Sequence, residues 1–245
     1  MNSSQPRLLS GNRLSRKTLP LLLYHPPAAP SDSHQEKPRA FARGFLHIMK
    51  NQTTQKIAIT GLMAALSYVV FTFLQIKVPL PGGDATSFHL GNTICVLGAL
   101  LVGGVYGGLG GAIGMTIADL MDPVYIVYAP KTFILKLGIG LIAGLIAHQI
   151  GKITHKKENS KVILWASLAA IGGLLFNVIF DPLVGYYYKL LILGKPAAEL
   201  ALVWNVTTTS VNAVLSGIAA VALYMPLRHA LKRAGLFMTI GTPKE

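Results

Sequence analysis

Four stretches of this chain contain no Asp, Glu, Lys or Arg: Ile57–Ile76, Ala85–Ala118, Val162–Phe180 and Leu200–Leu227. A helix needs about 20 such residues to cross roughly 30 Å of hydrocarbon. Only 13% of the residues are charged and 52% are hydrophobic, whereas a water-soluble domain carries nearer 25% charged. The expected fold is all-α, a polytopic membrane protein built as a six-helix transmembrane bundle.

The spans follow from where the apolar runs break. The first reads Ile57–Ile76 and leads into "KVPLPGGDATS", a loop punctuated by Pro and Gly. The 34 residues of Ala85–Ala118 would make one helix about 51 Å long, more than a bilayer needs. A break at Gly103-Gly104 gives two short helices joined by a tight turn. A fourth span starts after Pro130 and runs to about Ile150, and "GKITHKKENSK" follows as a basic loop. The fifth covers Val162 to about Gly185. "YYYKLLILGKPAAE" links it to the sixth, Leu200–Leu227.

Six spans put both termini on one side. That side holds 17 Lys and Arg, against Lys77, Lys189 and Lys195 in the opposite loops. The positive-inside rule then makes the termini cytoplasmic, in a multi-pass protein of the bacterial cell membrane. Topology therefore accounts for the net charge of +13 better than a nucleic-acid partner does. Residues 1–48 read as a disordered, basic extension rich in Pro, Ser and Arg. Met49 opens "MKNQTTQKIAIT", similar to an ordinary bacterial start, so a start-site artefact and a genuine extension are both open. The expected membrane domain is 49–230, with a cytoplasmic tail at 231–245.

Small residues mark the packing. In the third helix Gly103, Gly107 and Gly111 recur every four residues, with Gly104/Gly108 and Gly110/Gly114 offset beside them. Such spacing lets another helix backbone approach closely, and Gly140 and Gly144 repeat it in the fourth. A single cysteine, Cys95, excludes an internal disulfide or a cysteine-based metal cluster.

Polar groups collect toward the outer face. Asp119 and Asp122 are three residues apart, on one helical face. Asp122-Pro123 reads as a helix stop, and Asp119 lies one turn deeper, where a carboxylate needs a cavity or a partner. Lys136 lies about 7.5 Å below Lys131. It is placed to snorkel, to pair with Asp119 or Asp181, or to meet an anionic ligand. Asp84, His89, Asn92, Tyr125, Tyr128, Asn177, Asp181, Trp204 and Asn205 fall at similar depth. Aromatic faces and hydrogen-bonding groups converging at one depth suggest a pocket for a flat, polar small molecule. Asp84, His89, Asn92, Asp119, Tyr125, Tyr128, Lys131, Lys136, Asn177, Asp181, Trp204 and Asn205 are thus the candidate ligand residues. No GxxxxGK[ST], HExxH or GxSxG motif is present, so no catalytic residue, metal site or cofactor is expected.

The stretch "SFHLGNTICVLGALLVGGVYGGLGGAIGMTIADLMDPVYIVYAPKTFILKLGIGLIAGLI" resembles the substrate-binding (S) components of energy-coupling factor (ECF) vitamin transporters, in particular the family named for riboflavin transport. The matching features are His-Leu-Gly-Asn opening the second helix, the Gly-rich turn, and Ala-Asp ending the third. Tyr-Ala-Pro then precedes Thr-Phe-Ile-x-Lys and Gly-x-x-x-Gly. The likeness covers about Lys56–Lys161 and fades in the last two spans, where Asn205 matches a family asparagine. The resemblance implies high-affinity capture and uptake of a vitamin or precursor, such as riboflavin, a pyridoxine-like ring or a pyrimidine. It implies no ATPase activity in this chain. Energy would come from a transmembrane coupling protein and two ATP-binding subunits, with the S component toppling in the bilayer. Docking would use small residues of the first helix, here Gly61, Ala64 and Ala65. An ion-coupled carrier working alone, with Asp119, Asp181 and Lys136 as coupling charges, is the alternative.

Overall fold

The computed structural model describes residues 51–81, 83–194 and 198–240. The expected N-terminal extension and the last five residues lie outside them. Six helices and one hairpin make up the described chain. Helix α1 (Gln52–Phe73) starts at Asn51, whose Oδ1 accepts the Thr53 N–H at 3.0 Å; this satisfies one of the amides that a helix start leaves open. Strands β1 (Gln75–Leu80) and β2 (Asp84–His89) pair antiparallel, Gln75 opposite His89 and Leu80 opposite Asp84. Then come α2 (Gly91–Val102), α3 (Gly104–Leu120) and α4 (Ala129–Gly144), the last prolonged by a π-helical turn to Ile150. Helix α5 (Asn159–Tyr187) likewise continues as a π-helical turn, Tyr188–Ile192, and α6 runs Ala198–Arg233.

Two boundaries differ from the sequence reading. The first helix stops at Phe73, and the loop after it is the β1–β2 hairpin. Its strands use Ile76, Val78 and Thr86, residues suited to extended backbone, and Gly83 turns the chain at φ +69°. The fifth helix passes through Pro182 and ends ten residues beyond Pro182, at Ile192, so Lys189 sits on a helical turn and not in a loop. The break between the second and third helices falls where expected, at Gly103, whose φ of +94° suits only glycine readily.

The three offset glycine pairs of α3 serve three different neighbours. A Cβ on Gly107 would overlap the backbone of Gly98 and Ala99 in α2, and one on Gly111 would strike Cys95. Gly104 and Gly108 meet Gly140 and Gly144 of α4 backbone to backbone. Gly110 and Gly114 lie against Thr60, Met63 and Ala64 of α1. Two α1 hydroxyls reinforce that last contact: Thr60 donates to the Tyr106 carbonyl at 3.2 Å and Ser67 to the Gly111 carbonyl at 3.1 Å. At this spacing dispersion and hydroxyl bonds hold helices together where hydrocarbon supplies no hydrophobic drive.

Helix α2 has 12 residues, every one buried, and is about 18 Å long. It is walled in by the others and need not match the bilayer alone. The long helices α1, α4, α5 and α6 carry lipid-facing side chains, among them Leu62, Ile134, Ile171 and Ile218 at 60–68% exposure.

At the end away from the hairpin, Arg228 of α6 is 1% exposed. Its Nη2 donates to the carbonyls of Lys156 (2.8 Å) and Ile153 (3.3 Å), and its guanidinium lies 5.4 Å from the Phe237 ring. Residues after α6 pack back there. Gln55 donates to the Leu236 carbonyl, and Thr154 and Ile240 exchange hydrogen bonds.

Gly107→Val should cost about 3 kcal/mol or more by overpacking, lowering the melting temperature in detergent by about 6–12 °C. A Cβ at Gly61 meets open space, so Gly61→Ala should leave the melting temperature nearly unchanged.

Candidate ligand-binding site

The hairpin closes one end of the bundle over a cavity of about 90 Å³, walled by β2 and by the ends of α1, α3, α4, α5 and α6. Each wall element brings its polar groups for a local reason. Helix α3 ends at Leu120, and Asp122 then forms a turn, its Oδ1 accepting the Val124 N–H at 3.0 Å. Its other oxygen pairs with Lys77 on β1. Burial raises the Asp122 pKa, but the Lys77 hydrogen bond and backbone donors outweigh it and hold the carboxyl below the ordinary range. Asp122 thus both stops the helix and ties the hairpin down.

One turn deeper, Asp119 is 2% exposed and faces the cavity, with the Thr132 hydroxyl as a hydrogen-bonding neighbour. Asp181 of α5 opposes it across the wall and pairs with two lysines of α4, Lys131 and Lys136. The Lys136 Nζ lies 3.1 Å from Asp181 Oδ2 and 3.0 Å from Asn177 Oδ1. Lys136 therefore does not snorkel; it is buried, and its charge is met by an acid and an amide. Asn177 lies behind the lining and acts through Lys136.

A second charged group holds the hairpin. Asp84 pairs with Lys189 from the π-helical turn of α5, and the Tyr128 hydroxyl donates to Asp84 Oδ1 at 2.9 Å. Burial raises the Asp84 carboxyl, but the Lys189 hydrogen bond and charge, with the Tyr128 hydroxyl, more than offset it and hold the pKa below 3.8. Both Lys131 and Lys189 sit within 6 Å of the Tyr128 ring, at 5.9 and 5.5 Å.

Helix α6 supplies the third anchor. Asn212 Oδ1 accepts the His89 N–H and its Nδ2 donates to the Ser87 carbonyl, both at 2.9 Å. One side-chain amide thus does for β2 what another strand would do. The Thr86 and Thr208 hydroxyls lie 2.8 Å apart beside it. His89 Nδ1 accepts the Gly91 N–H at 3.2 Å at the start of α2, which leaves Nε2 to carry the proton of the neutral ring. Burial, then the Lys136 charge, push its pKa down to about 3. Phe71 stands edge-on to His89, ring centroids 4.8 Å apart, and 6.3 Å from Tyr125.

Of the residues expected from sequence, His89, Asp119, Tyr125, Tyr128, Lys131, Lys136, Asp181 and Asn205 line this cavity. Asp84 and Asn177 stand behind it as partners of lysines that do. Two do not reach it: Asn92 is buried in α2 away from the lining, and Trp204 is 37% exposed on the outside of α6. One helical step between Trp204 and Asn205 turns the former outward and the latter in. The lining also includes Phe71, Thr86, Ser87, Met115, Thr132, Lys189, Thr208, Thr209 and Asn212. Asn212 carried a signal, an amide within an apolar run. The threonines carried none, since a Thr can satisfy itself on its own helix, as Thr208 does at the Trp204 carbonyl. On α1, Gly61 and Ala65 are exposed, whereas Ala64 is half-buried and faces α3.

A family profile described as "ECF-type riboflavin transporter, S component" matches residues 51–229. A UPF0397 protein from Exiguobacterium sp. (strain ATCC BAA-1283 / AT1b) is 27% identical over 190 residues, 76% of this chain and 97% of that protein. No solved structure gives a significant match.

A depressed carboxyl stabilises above its unfolded pKa and loses that contribution as pH falls through its lower folded value. The Asp84–Lys189 anchor should therefore be constant from pH 8 to 5 and weaken only below 3.8. Hydrogen exchange of the β2 amides, corrected for intrinsic rates, should show this plateau. Lys189→Met, which strands a buried carboxylate, should speed that exchange by about tenfold or more.

Proposed function

We propose, from the premise that this chain belongs to the ECF-type riboflavin transporter S component family, that it captures a vitamin or vitamin precursor in the cavity beneath the hairpin. At the level of the family it is a multi-pass cell membrane protein and the substrate-binding subunit of a transporter, not an enzyme. The observation that supports capture at this site is the way the hairpin is seated over the cavity. Three separate anchors, Asp122–Lys77, Asp84–Lys189 and Asn212 on β2, draw the hairpin over a polar chamber at one end of an otherwise apolar bundle. A ligand reaches that chamber from the aqueous side when the hairpin parts from the helices. The excess of Lys and Arg on the terminal side supports cytoplasmic termini with the hairpin outside.

Energy is supplied by partners, a transmembrane coupling protein and two ATP-binding subunits. Gly61 and Ala65, four residues apart on the exposed side of α1, form the docking face, because a neighbouring helix can come close only where side chains are this small. Ala64 stabilises the subunit internally against Gly114.

Uptake of radiolabelled vitamins by cells with and without a coupling module tests the proposal. Accumulation should require the module, and Gly61→Leu with Ala65→Trp should lower uptake about tenfold or more while ligand affinity changes less than about twofold. Uptake by this chain alone would favour an ion-coupled carrier.

A further inference from the structure

A larger cavity lies away from the hairpin, a groove of about 740 Å³ between α5 and α6. Its floor is made of small residues, Ala170 of α5 with Ala213 and Gly217 of α6. Its rims are the large side chains of Ile171, Val214 and Ile218, each at least 60% exposed. On α6 the groove runs from Ser210 to Ala222, about 18 Å. Its mean cross-section is therefore about 40 Å², half the roughly 80 Å² of a helix 10 Å across. Acyl chains fit such a slot, and a whole helix does not.

The same face of α6 ends in a basic corner. Arg228 lies two turns beyond Val221 of the groove, on one line along the helix. It is 1% exposed and donates to two backbone carbonyls, one of them that of Lys156. Its Nε has no partner among the described residues. Arg228 and Lys232 both lie over the Phe237 ring, 5.4 and 5.2 Å from its centroid. Among the described residues no carboxylate oxygen lies within 4.0 Å of Arg228, Lys156 or Lys232, and Glu158 beside them is held by Lys161 at 2.9 Å. A buried guanidinium without an acid, next to two further cations, calls for an anion.

We propose that groove and corner form one site for an anionic phospholipid, its acyl chains along Gly217 and its phosphate between Lys156 and Lys232. Lys156 is half-buried and Lys232 exposed, so both are within reach of a headgroup that Arg228 attracts from beneath. The lengths agree. His229, level with the corner, is seven residues beyond Ala222, about 10 Å, and the headgroup zone of one leaflet takes up about 5–7 Å of that. The chains then enter the groove below the glycerol. A zwitterionic lipid brings its own cation to a corner already rich in them, whereas a net negative headgroup leaves its charge to the lysines. Inorganic phosphate alone would leave the groove unfilled.

Native mass spectrometry of the full chain in detergent tests this with dioleoylphosphatidylglycerol and dioleoylphosphatidylcholine, which share their chains and differ in net charge. The anionic lipid should bind one to one and half-saturate at a concentration about tenfold or more below that of the zwitterionic one. Lys156→Gln with Lys232→Gln should bring the two lipids within about twofold of each other. Gly217→Leu, which fills the slot, should weaken the anionic lipid about tenfold or more. Melting temperatures show whether each variant is folded, and the lipid ratio is read on the unmodified chain, so it decides even if neither variant folds. Equal retention of the two lipids by the unmodified chain, or a preference that a folded variant leaves untouched, would overturn the proposal. So would displacement of the phospholipid by inorganic phosphate, or a dimer abolished by Gly217→Leu, which would seat a second copy of this chain in the groove.

Discussion

The structure depends on how closely three helices can approach α3. Inside a membrane the hydrocarbon of a lipid tail is as apolar as a leucine, so association must come from close contact and polar bonds. Glycines on three sides of α3 make that contact possible for α1, α2 and α4 at once. The side chains that would fill this space in a soluble protein are absent, and backbone meets backbone. One consequence is that α2, at 12 residues, is enclosed by its neighbours and too short to span alone. Another is that the end of α3, with Asp119, is packed at the cavity wall.

On that scaffold the buried lysines are placed so that each meets a carboxylate. Lysine and aspartate at membrane depth are costly singly and tolerable when paired and hydrogen-bonded. Lys136 satisfies this with Asp181 and Asn177 together, and Lys189 with Asp84. The same pairs give the hairpin its seat, so the groups that make the chamber polar also close it. Asn212 adds the backbone side of the closure by standing in for a missing strand. A lid held by a few ion pairs and one amide can open without disturbing the glycine-packed helices below it.

The apolar runs, the Gly103 break, the small-residue periodicities and the depth of Asp119, Lys131, Lys136 and Asp181 were determined by the sequence alone. They are local quantities: run length against bilayer thickness, spacing against 3.6 residues per turn, and the scarcity of charge in hydrocarbon. Tertiary structure alone decided which carboxylate meets which lysine. Asp84 and Lys189 are more than a hundred residues apart, and nothing in their neighbours states that they pair. It alone turned a Pro- and Gly-rich loop into a hairpin seated on Asn212, because the partners of β2 come from the far end of the chain. It also sent Trp204 to the outside of α6 and Asn205 to the cavity, and among the described residues it left no Lys or Arg nitrogen within 4.0 Å of Asp119. Pairing between distant segments is set by how the helices pack, and in a membrane that packing is decided by shape and hydrogen bonds, which no single stretch of sequence contains.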